Sequence, residues 1–222
     1  MLPLPHWRRE LLPLQRKAKT VLATALLGVA WAGSILFGVR ALLNYESSPG
    51  RVGSVPNLWP ADSAIHLAND RPTLIMLAHP QCPCTRASMN ELAEVMARVR
   101  SKVQAYVLFY TPEGSGADWQ NTSLRQSAAQ IPGVTVLSDV DGMEARRFGA
   151  ETSGHTFLFD PSGRLLFNGG ITQSRGHSGG SVGENAIISL ANNHGSDRSK
   201  TWVFGCPLTD RRQAGMGPRC LK

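Results

Sequence analysis

The stretch Thr73-Leu-Ile-Met-Leu-Ala78, followed by His79-Pro-Gln-Cys-Pro-Cys-Thr85, decides the fold of this chain. An apolar run of this kind predicts a buried strand, and the residues after Thr85 have the pattern of a helix. A strand that delivers two cysteines to a helix N-terminus is typical of a redox site, because the helix dipole and its free N–H groups favour the thiolate. As a bare pair, Cys82 and Cys84 also fit buried structural thiols or half of a metal site.

The N-terminal region predicts a membrane anchor. Residues 20–39 carry no charge, and about 20 apolar residues are enough to cross a bilayer as a helix. We therefore predict a basic cytoplasmic N-terminus at 1–19, a transmembrane helix at 20–42 and an extracytoplasmic remainder. A cleaved signal peptide is the alternative. The basic residues that precede the apolar segment are Arg8, Arg9, Arg16, Lys17 and Lys19, against Glu10 alone.

The remainder divides into a linker, one domain and a tail. Residues 43–60 are rich in Ser, Pro, Gly and Asn and are predicted to tether the domain, which spans 61–194. Residues 195–222 form a C-terminal tail. The net charge of +7 lies largely in the N-terminal flank and this tail, so we predict no nucleic-acid partner.

Alternating strand and helix patterns predict an α/β domain with a mixed sheet flanked by helices. Pro161-Ser-Gly163 separates two apolar runs and predicts a hairpin. The predicted strands are 73–78, 103–110, 134–138, 156–160 and 164–167. The predicted helices are 85–99, 118–130, 141–148 and 182–192.

The block Cys82-Pro-Cys-Thr-Arg-Ala-Ser-Met-Asn-Glu-Leu92 resembles the Cys-Gly-Pro-Cys motif region of membrane-anchored TlpA/ResA-type proteins, which are thiol-disulfide proteins of the thioredoxin-like superfamily. The resemblance covers about residues 55–192. It implies a thioredoxin-like fold, exchange with protein thiols and disulfides, and a setting in cytochrome maturation or copper-site assembly.

The motif departs from the family pattern at two positions. Cys82 matches the nucleophilic cysteine, but Thr85 occupies the position of the resolving cysteine and Cys84 that of a proline. The resolving thiol is therefore either Cys84, through a strained Cys-x-Cys ring, or Cys206 in the tail.

Gly154 stands where the resemblance implies a cis-proline. Glycine adds no steric shield beside the sulfurs, so this position leaves room for a metal, with His155 as a nearby imidazole. In the alternative, Gly154 serves a turn and His155 is an ordinary strand-edge residue.

The glycine-rich loop 169–180 is expected at the same end of the sheet as the thiols. There Arg175 would lower the pKa of a thiol and His177 would act as acid or base. A solvated loop is the alternative.

The tail carries an apolar patch, Trp202-Val-Phe204, which is expected to dock on the domain and to bring Cys206 with it. Three roles are open for Cys206: a structural disulfide with Cys220, the resolving thiol, or a metal ligand.

These observations predict a single-pass, membrane-tethered thiol-disulfide oxidoreductase that acts outside the cytoplasm, with Cys82 as nucleophile, Cys84 as its partner and no cofactor. The alternative is a copper-binding assembly factor that uses Cys82 and Cys84 with His155 or His177. A third class is a redox-inactive scaffold at the membrane.

Overall fold

The computed structural model describes residues 6–209, with side chains from residue 17 onward. Its helices are α1 (His6–Ser47), α2 (Thr85–Val99), α3 (Ala117–Gln120), α4 (Ser123–Ala129), α5 (Met143–Phe148) and α6 (Val182–Ala191). Its strands are β1 (Thr73–Ala78), β2 (Gln104–Thr111), β3 (Val134–Val140), β4 (His155–Phe159) and β5 (Leu165–Gly169).

Helix α1 forms a unit separate from the domain that follows it. Its segment Lys17–Ser47 reaches a mean hydropathy of 1.9, and the apolar residues of that segment are exposed. Among the described residues, this is the one helix long and apolar enough to cross a membrane.

The five strands form one mixed sheet in the order β3-β2-β1-β4-β5. Strands β1, β2 and β3 are parallel, while β4 runs antiparallel to both β1 and β5. Every residue of β1 is buried, as expected of a central strand covered on both faces. The expected fold class, a thioredoxin-like mixed sheet flanked by helices behind an N-terminal apolar helix, is confirmed.

Side chains alternate along β1 and divide the core in two. Leu74 and Met76 pack with α2, α4 and α6 on one face of the sheet. Ile75 and Leu77 pack with α5 and the aromatic side chains of β4 on the other face. Because α2 follows directly from the carboxyl end of β1, the cysteine motif lies at that edge of the sheet.

The helix predicted at 118–130 is divided into two short helices. Thr122 has an extended backbone, and its side-chain oxygen accepts a hydrogen bond from the N–H of Arg125 at 3.3 Å. This cap ends α3 and starts α4, since a threonine in extended conformation favours a helix start over a helix interior. Each of the other predicted elements is present within about two residues of its expected bounds.

Part of the segment expected as a linker lies against the domain. Val52 bridges to Ala150, and the N–H of Trp59 donates to the carbonyl of Gly163 at 2.7 Å. Trp59 also contacts Phe148 edge-on. Residues 50–59 therefore pack on the domain, and this packing could not be read from their polar composition.

Candidate functional site

The cysteine motif forms a tight turn between β1 and α2. The N–H of Cys82 donates to the carbonyl of His79 at 3.2 Å, and the N–H of Thr85 donates to the carbonyl of Cys82 at 3.1 Å. Cys84 is the N-cap of α2, with no capping hydrogen bond from its side chain. The turn thus holds both sulfurs at the positive end of a helix of 15 residues.

The tail docks on the domain as a C-terminal strap, defined here as residues 201–208. The N–H of Ser153 donates to the carbonyl of Cys206 at 2.8 Å, and the N–H of Leu208 donates to the carbonyl of Glu151 at 2.9 Å. These bonds pair the strap with the segment that leads into β4, which itself lies beside β1. The expected docking is therefore observed, and it brings Cys206 to the motif.

The residues of the apolar patch in the tail differ in how far they are buried by this docking. Val203 is buried, whereas Trp202 is 70% exposed. The strap is also held by backbone bonds to β5, such as the one from the N–H of Thr201 to the carbonyl of Asn168 at 3.3 Å.

Cys82, Cys84 and Cys206 form a cluster of three sulfurs, all within 4.8 Å of one another. The three side chains are 2%, 8% and 6% exposed and carry free thiols in this structure. Cys220, the other candidate partner of Cys206, lies outside the described residues.

Hydrogen bonds stabilise Cys82 as the thiolate of this cluster. The thiol of Cys206 contributes most, followed by the thiol of Cys84, while the Thr85 hydroxyl and the Cys206 backbone N–H add smaller effects. Together they outweigh the cost of burial and lower the pKa of Cys82 far below its usual range. The effect of the helix N-terminus, which was inferred from the sequence, is thus joined by four hydrogen-bond donors from Cys206, Cys84 and Thr85.

Cys84 is shifted in the opposite direction. The hydrogen bond with Cys206 lowers its pKa, but its hydrogen bond and charge repulsion with the Cys82 thiolate, together with burial, raise it more. The pKa of Cys84 is therefore above its usual value. Cys82 is therefore suited to act as a nucleophile, and Cys84 is suited to carry a proton.

The hydroxyl groups of Ser153 and Thr85 form a hydrogen-bonded chain that ends at the sulfur of Cys82. Thr85 Oγ1 lies 2.7 Å from Ser153 Oγ, which accepts a hydrogen bond from the N–H of His79 at 2.7 Å. Because Thr85 donates to Cys82, the Ser153 hydroxyl must donate to Thr85. The Ser153 side chain is fully buried, and the sequence analysis gave its hydroxyl no role. Its place just ahead of β4 was the only available signal.

Of the two loop residues expected near the thiols, Arg175 reaches the site and His177 does not contact it. Arg175 donates from Nη1 to the carbonyl of Gly205 and from Nε to that of Ser48 at 3.2 Å, and its positive charge acts to lower the pKa of Cys84. His177 is exposed, with Nδ1 3.1 Å from the carbonyl oxygen of Arg175.

Gly154 and His155 lie differently from the expectation. Gly154 has a φ of +88°, and a Cβ there would lie 2.7 Å from Ser88 Oγ, so the Ser88 side chain of α2 packs directly against this glycine. The ring of His155 is buried and stacks on Phe157 at 4.2 Å between centroids. It belongs to the opposite face of the sheet from Thr156 and is not part of the sulfur cluster.

His79 forms an aromatic group beside the motif. Its ring stacks on Tyr110 at 5.9 Å and meets Trp119 edge-on at 5.5 Å. Nδ1 accepts a hydrogen bond from the N–H of Gln81 at 3.2 Å. Trp119 lies in the short helix α3, which the sequence analysis merged with α4 and did not connect with the site.

No protein-family model matches the chain, and no curated protein matches its sequence. Among solved structures, an uncharacterized conserved protein from Geobacillus kaustophilus is similar, with a TM-score of 0.53 and 16% identity over 75% of this chain and 94% of that one. A hypothetical protein from Sinorhizobium meliloti 1021 has a TM-score of 0.49 and 17% identity over 72% and 93% of the two chains.

A secreted disulfide oxidoreductase from Mycobacterium tuberculosis is also found, with a TM-score of 0.40 and 13% identity over 57% of this chain and 84% of that one. The likeness to the Geobacillus kaustophilus protein concerns the fold. The chemistry of this chain has to be argued from its own sulfur cluster.

Proposed function

Since residues 46–209 form a thioredoxin-like domain, we propose that this chain is a membrane-tethered thiol-disulfide oxidoreductase that acts outside the cytoplasm. One observation carries the proposal: three buried sulfurs meet at the N-terminus of α2, and hydrogen bonds keep one of them, Cys82, as the thiolate. A redox-inactive scaffold has no need of such a cluster.

The reaction begins at Cys82. Its thiolate attacks one sulfur of a disulfide in a partner protein, so that a Cys82–partner bond forms and the partner's own S–S bond breaks. The second partner sulfur leaves as a thiolate. This mixed disulfide is the first intermediate.

Cys206 is the resolving thiol in this proposal. It attacks the Cys82 sulfur of the mixed disulfide, so that a Cys82–Cys206 bond forms and the first partner sulfur leaves as a thiolate. The proton of the Cys206 thiol goes to a released partner thiolate. The partner gains two electrons and the domain loses two. The reverse sequence oxidises a partner dithiol.

One feature supports Cys206 over Cys84 in this role. A Cys82–Cys84 bond would close a strained ring across one residue, whereas Cys206 approaches from a separate segment without that strain. The raised pKa of Cys84 keeps it protonated, so it is suited to return a proton to the site.

The sequence around α1 supports the location. The basic residues before the apolar segment favour a cytoplasmic N-terminus, which leaves the domain on the opposite side of the membrane. Disulfide chemistry persists in such oxidising compartments. The partners are protein thiols and disulfides, and the exchange requires no cofactor.

The test uses the full-length reduced protein in detergent micelles, mixed with oxidised glutathione and followed by mass spectrometry. We expect Cys206→Ser to accumulate glutathione on Cys82, because the mixed disulfide cannot be resolved. Cys84→Ser should still form the Cys82–Cys206 bond, and Cys220→Ser serves as the matched control. Accumulation in Cys84→Ser instead would assign resolution to Cys84, and full reactivity of Cys82→Ser would refute the proposal.

A further inference from the structure

We propose that the reduced sulfur cluster of Cys82, Cys84 and Cys206 is a three-thiolate site for Cu(I). This goes beyond disulfide exchange, because a preformed set of ligands can bind a metal whether or not Cys82 attacks a partner. It also changes the ligand set of the copper alternative drawn from the sequence, since Cys206 takes the place considered there for His155 or His177.

The three sulfur ligands indicate which kind of metal the site can bind. Within the described part of the chain, no histidine, aspartate or glutamate joins the three sulfurs. Thiolates are soft ligands, and a set of sulfurs alone suits Cu(I) or Zn²⁺. Structural zinc is almost always four-coordinate and tetrahedral, so a closed group of three thiolates favours Cu(I).

The spacing of the sulfurs fits a metal at their centre. With a metal–sulfur bond of about 2.3 Å, three sulfurs in a plane around the metal lie about 4 Å apart. The sulfurs of the cluster are all within 4.8 Å of one another. The sulfurs are therefore already near the spacing that a three-coordinate metal requires.

Positive groups beside the cluster help to stabilise the metal-bound form. Binding of Cu(I) displaces the protons of Cys84 and Cys206, so the three thiolates and the metal together carry a charge of −2. Three features stabilise that negative charge: the N-terminus of α2, the backbone N–H of Cys206 and the nearby guanidinium of Arg175.

Because one ligand comes from the strap, the metal site exists only when the strap is docked and Cys82 and Cys206 are both reduced. Cys206 reaches the motif through the backbone bond between Ser153 and Cys206, so the third ligand is present only when the strap is docked. A Cys82–Cys206 disulfide uses two of the three ligands. Cu(I) binding and that disulfide therefore exclude each other.

The test titrates the full-length reduced protein in detergent, under anaerobic conditions, with Cu(I) supplied as its bicinchoninate complex. We expect transfer of one Cu(I) per chain, and X-ray absorption should find three sulfur neighbours. Cys82→Ser, Cys84→Ser and Cys206→Ser should each weaken binding by more than about tenfold, since loss of a ligand costs at least as much as loss of a supporting residue. Cys220→Ser should bind like the wild type.

Several outcomes would overturn the proposal: no transfer from bicinchoninate, two sulfur neighbours, a nitrogen neighbour, or unchanged affinity in Cys84→Ser. Thermal unfolding of each metal-free variant identifies any that fail to fold, and the X-ray absorption result on the wild type does not depend on them. Glutathione exchange, measured on metal-free protein, reports separately on the proposed oxidoreductase activity.

Discussion

The backbone N–H of Ser153 donates to the carbonyl oxygen of Cys206 at 2.8 Å, and this bond joins the C-terminal strap to the segment before β4. The Ser153 hydroxyl also forms a hydrogen bond with the hydroxyl of Thr85, which in turn donates to Cys82. A single residue thus positions the third sulfur through its backbone and supports the nucleophile through its hydroxyl. The strap and the motif form one site for this reason.

Gly205→Ala should move the strap away from the motif. A Cβ at Gly205 would overlap with the carbonyl oxygen of Ser153, and because that is a backbone atom, one of the two segments must shift. We expect a loss of stability of about 1–3 kcal/mol from this overpacking, together with a marked fall in the Cys82–Cys206 disulfide yield on oxidation with glutathione. Peptide mapping by mass spectrometry measures that yield.

Gly116→Ala is the matched control for this substitution, because a Cβ there meets no atom within 4 Å and its φ of −75° suits alanine. An unchanged disulfide yield in Gly205→Ala would show that the strap does not need this close approach.

Thr85→Val should weaken the thiolate of Cys82. The substitution keeps the shape of the side chain but removes the hydroxyl that donates to the sulfur. A hydrogen bond to a charged group is worth about 1.5–3 kcal/mol, so the pKa of Cys82 should rise by about one to two units. The rate of iodoacetamide labelling of Cys82, measured against pH, reports the shift.

Thr85→Ser keeps the hydroxyl and should retain the wild-type labelling profile. If Thr85→Val and Thr85→Ser label identically at every pH, the hydroxyl does not act on Cys82.

His155 should make the domain less stable in mild acid. Burial lowers its pKa to about 3, against a smaller opposing effect of Asn168, whereas the unfolded chain titrates near the ordinary value of about 6.5. Below that value the unfolded state binds a proton that the folded state does not, so stability falls as the pH drops toward 3. Between about pH 7.5 and pH 5 the loss is about 2 kcal/mol.

His155→Leu removes this titration, and urea unfolding at the two pH values measures the difference. Other acidic and basic groups affect both proteins equally, so the wild type minus the variant isolates His155. Parallel pH dependence in the two proteins would contradict a buried neutral imidazole.

The fold was largely predictable because its elements have strong local patterns. The run 73–78 is apolar throughout because β1 is covered on both faces, and the helix predicted at 85–99 has the bounds of α2. The region 118–130 was less predictable, since both of its helices are short and the break depends on one capping residue, Thr122.

The site was predictable only in part. The sequence pointed to Cys82 and Cys84 because a single residue separates them and they follow a strand, and it left the role of Cys206 open. His155 was considered as a ligand from its proximity in sequence, but alternation along β4 directs its ring to Phe157. Ser153 carried only one sequence signal, its place just ahead of β4, because its role depends on partners in α2 and the strap.

By itself the sequence determined the apolar helix, the α/β order of strands and helices and the two thiols at a helix start, since each depends on residues close together in the chain. Only the tertiary structure decided which third group joins those thiols. Cys206 reaches them through backbone hydrogen bonds between distant segments, and such bonds use N–H and C=O groups that every non-proline residue carries and that leave no mark in the sequence.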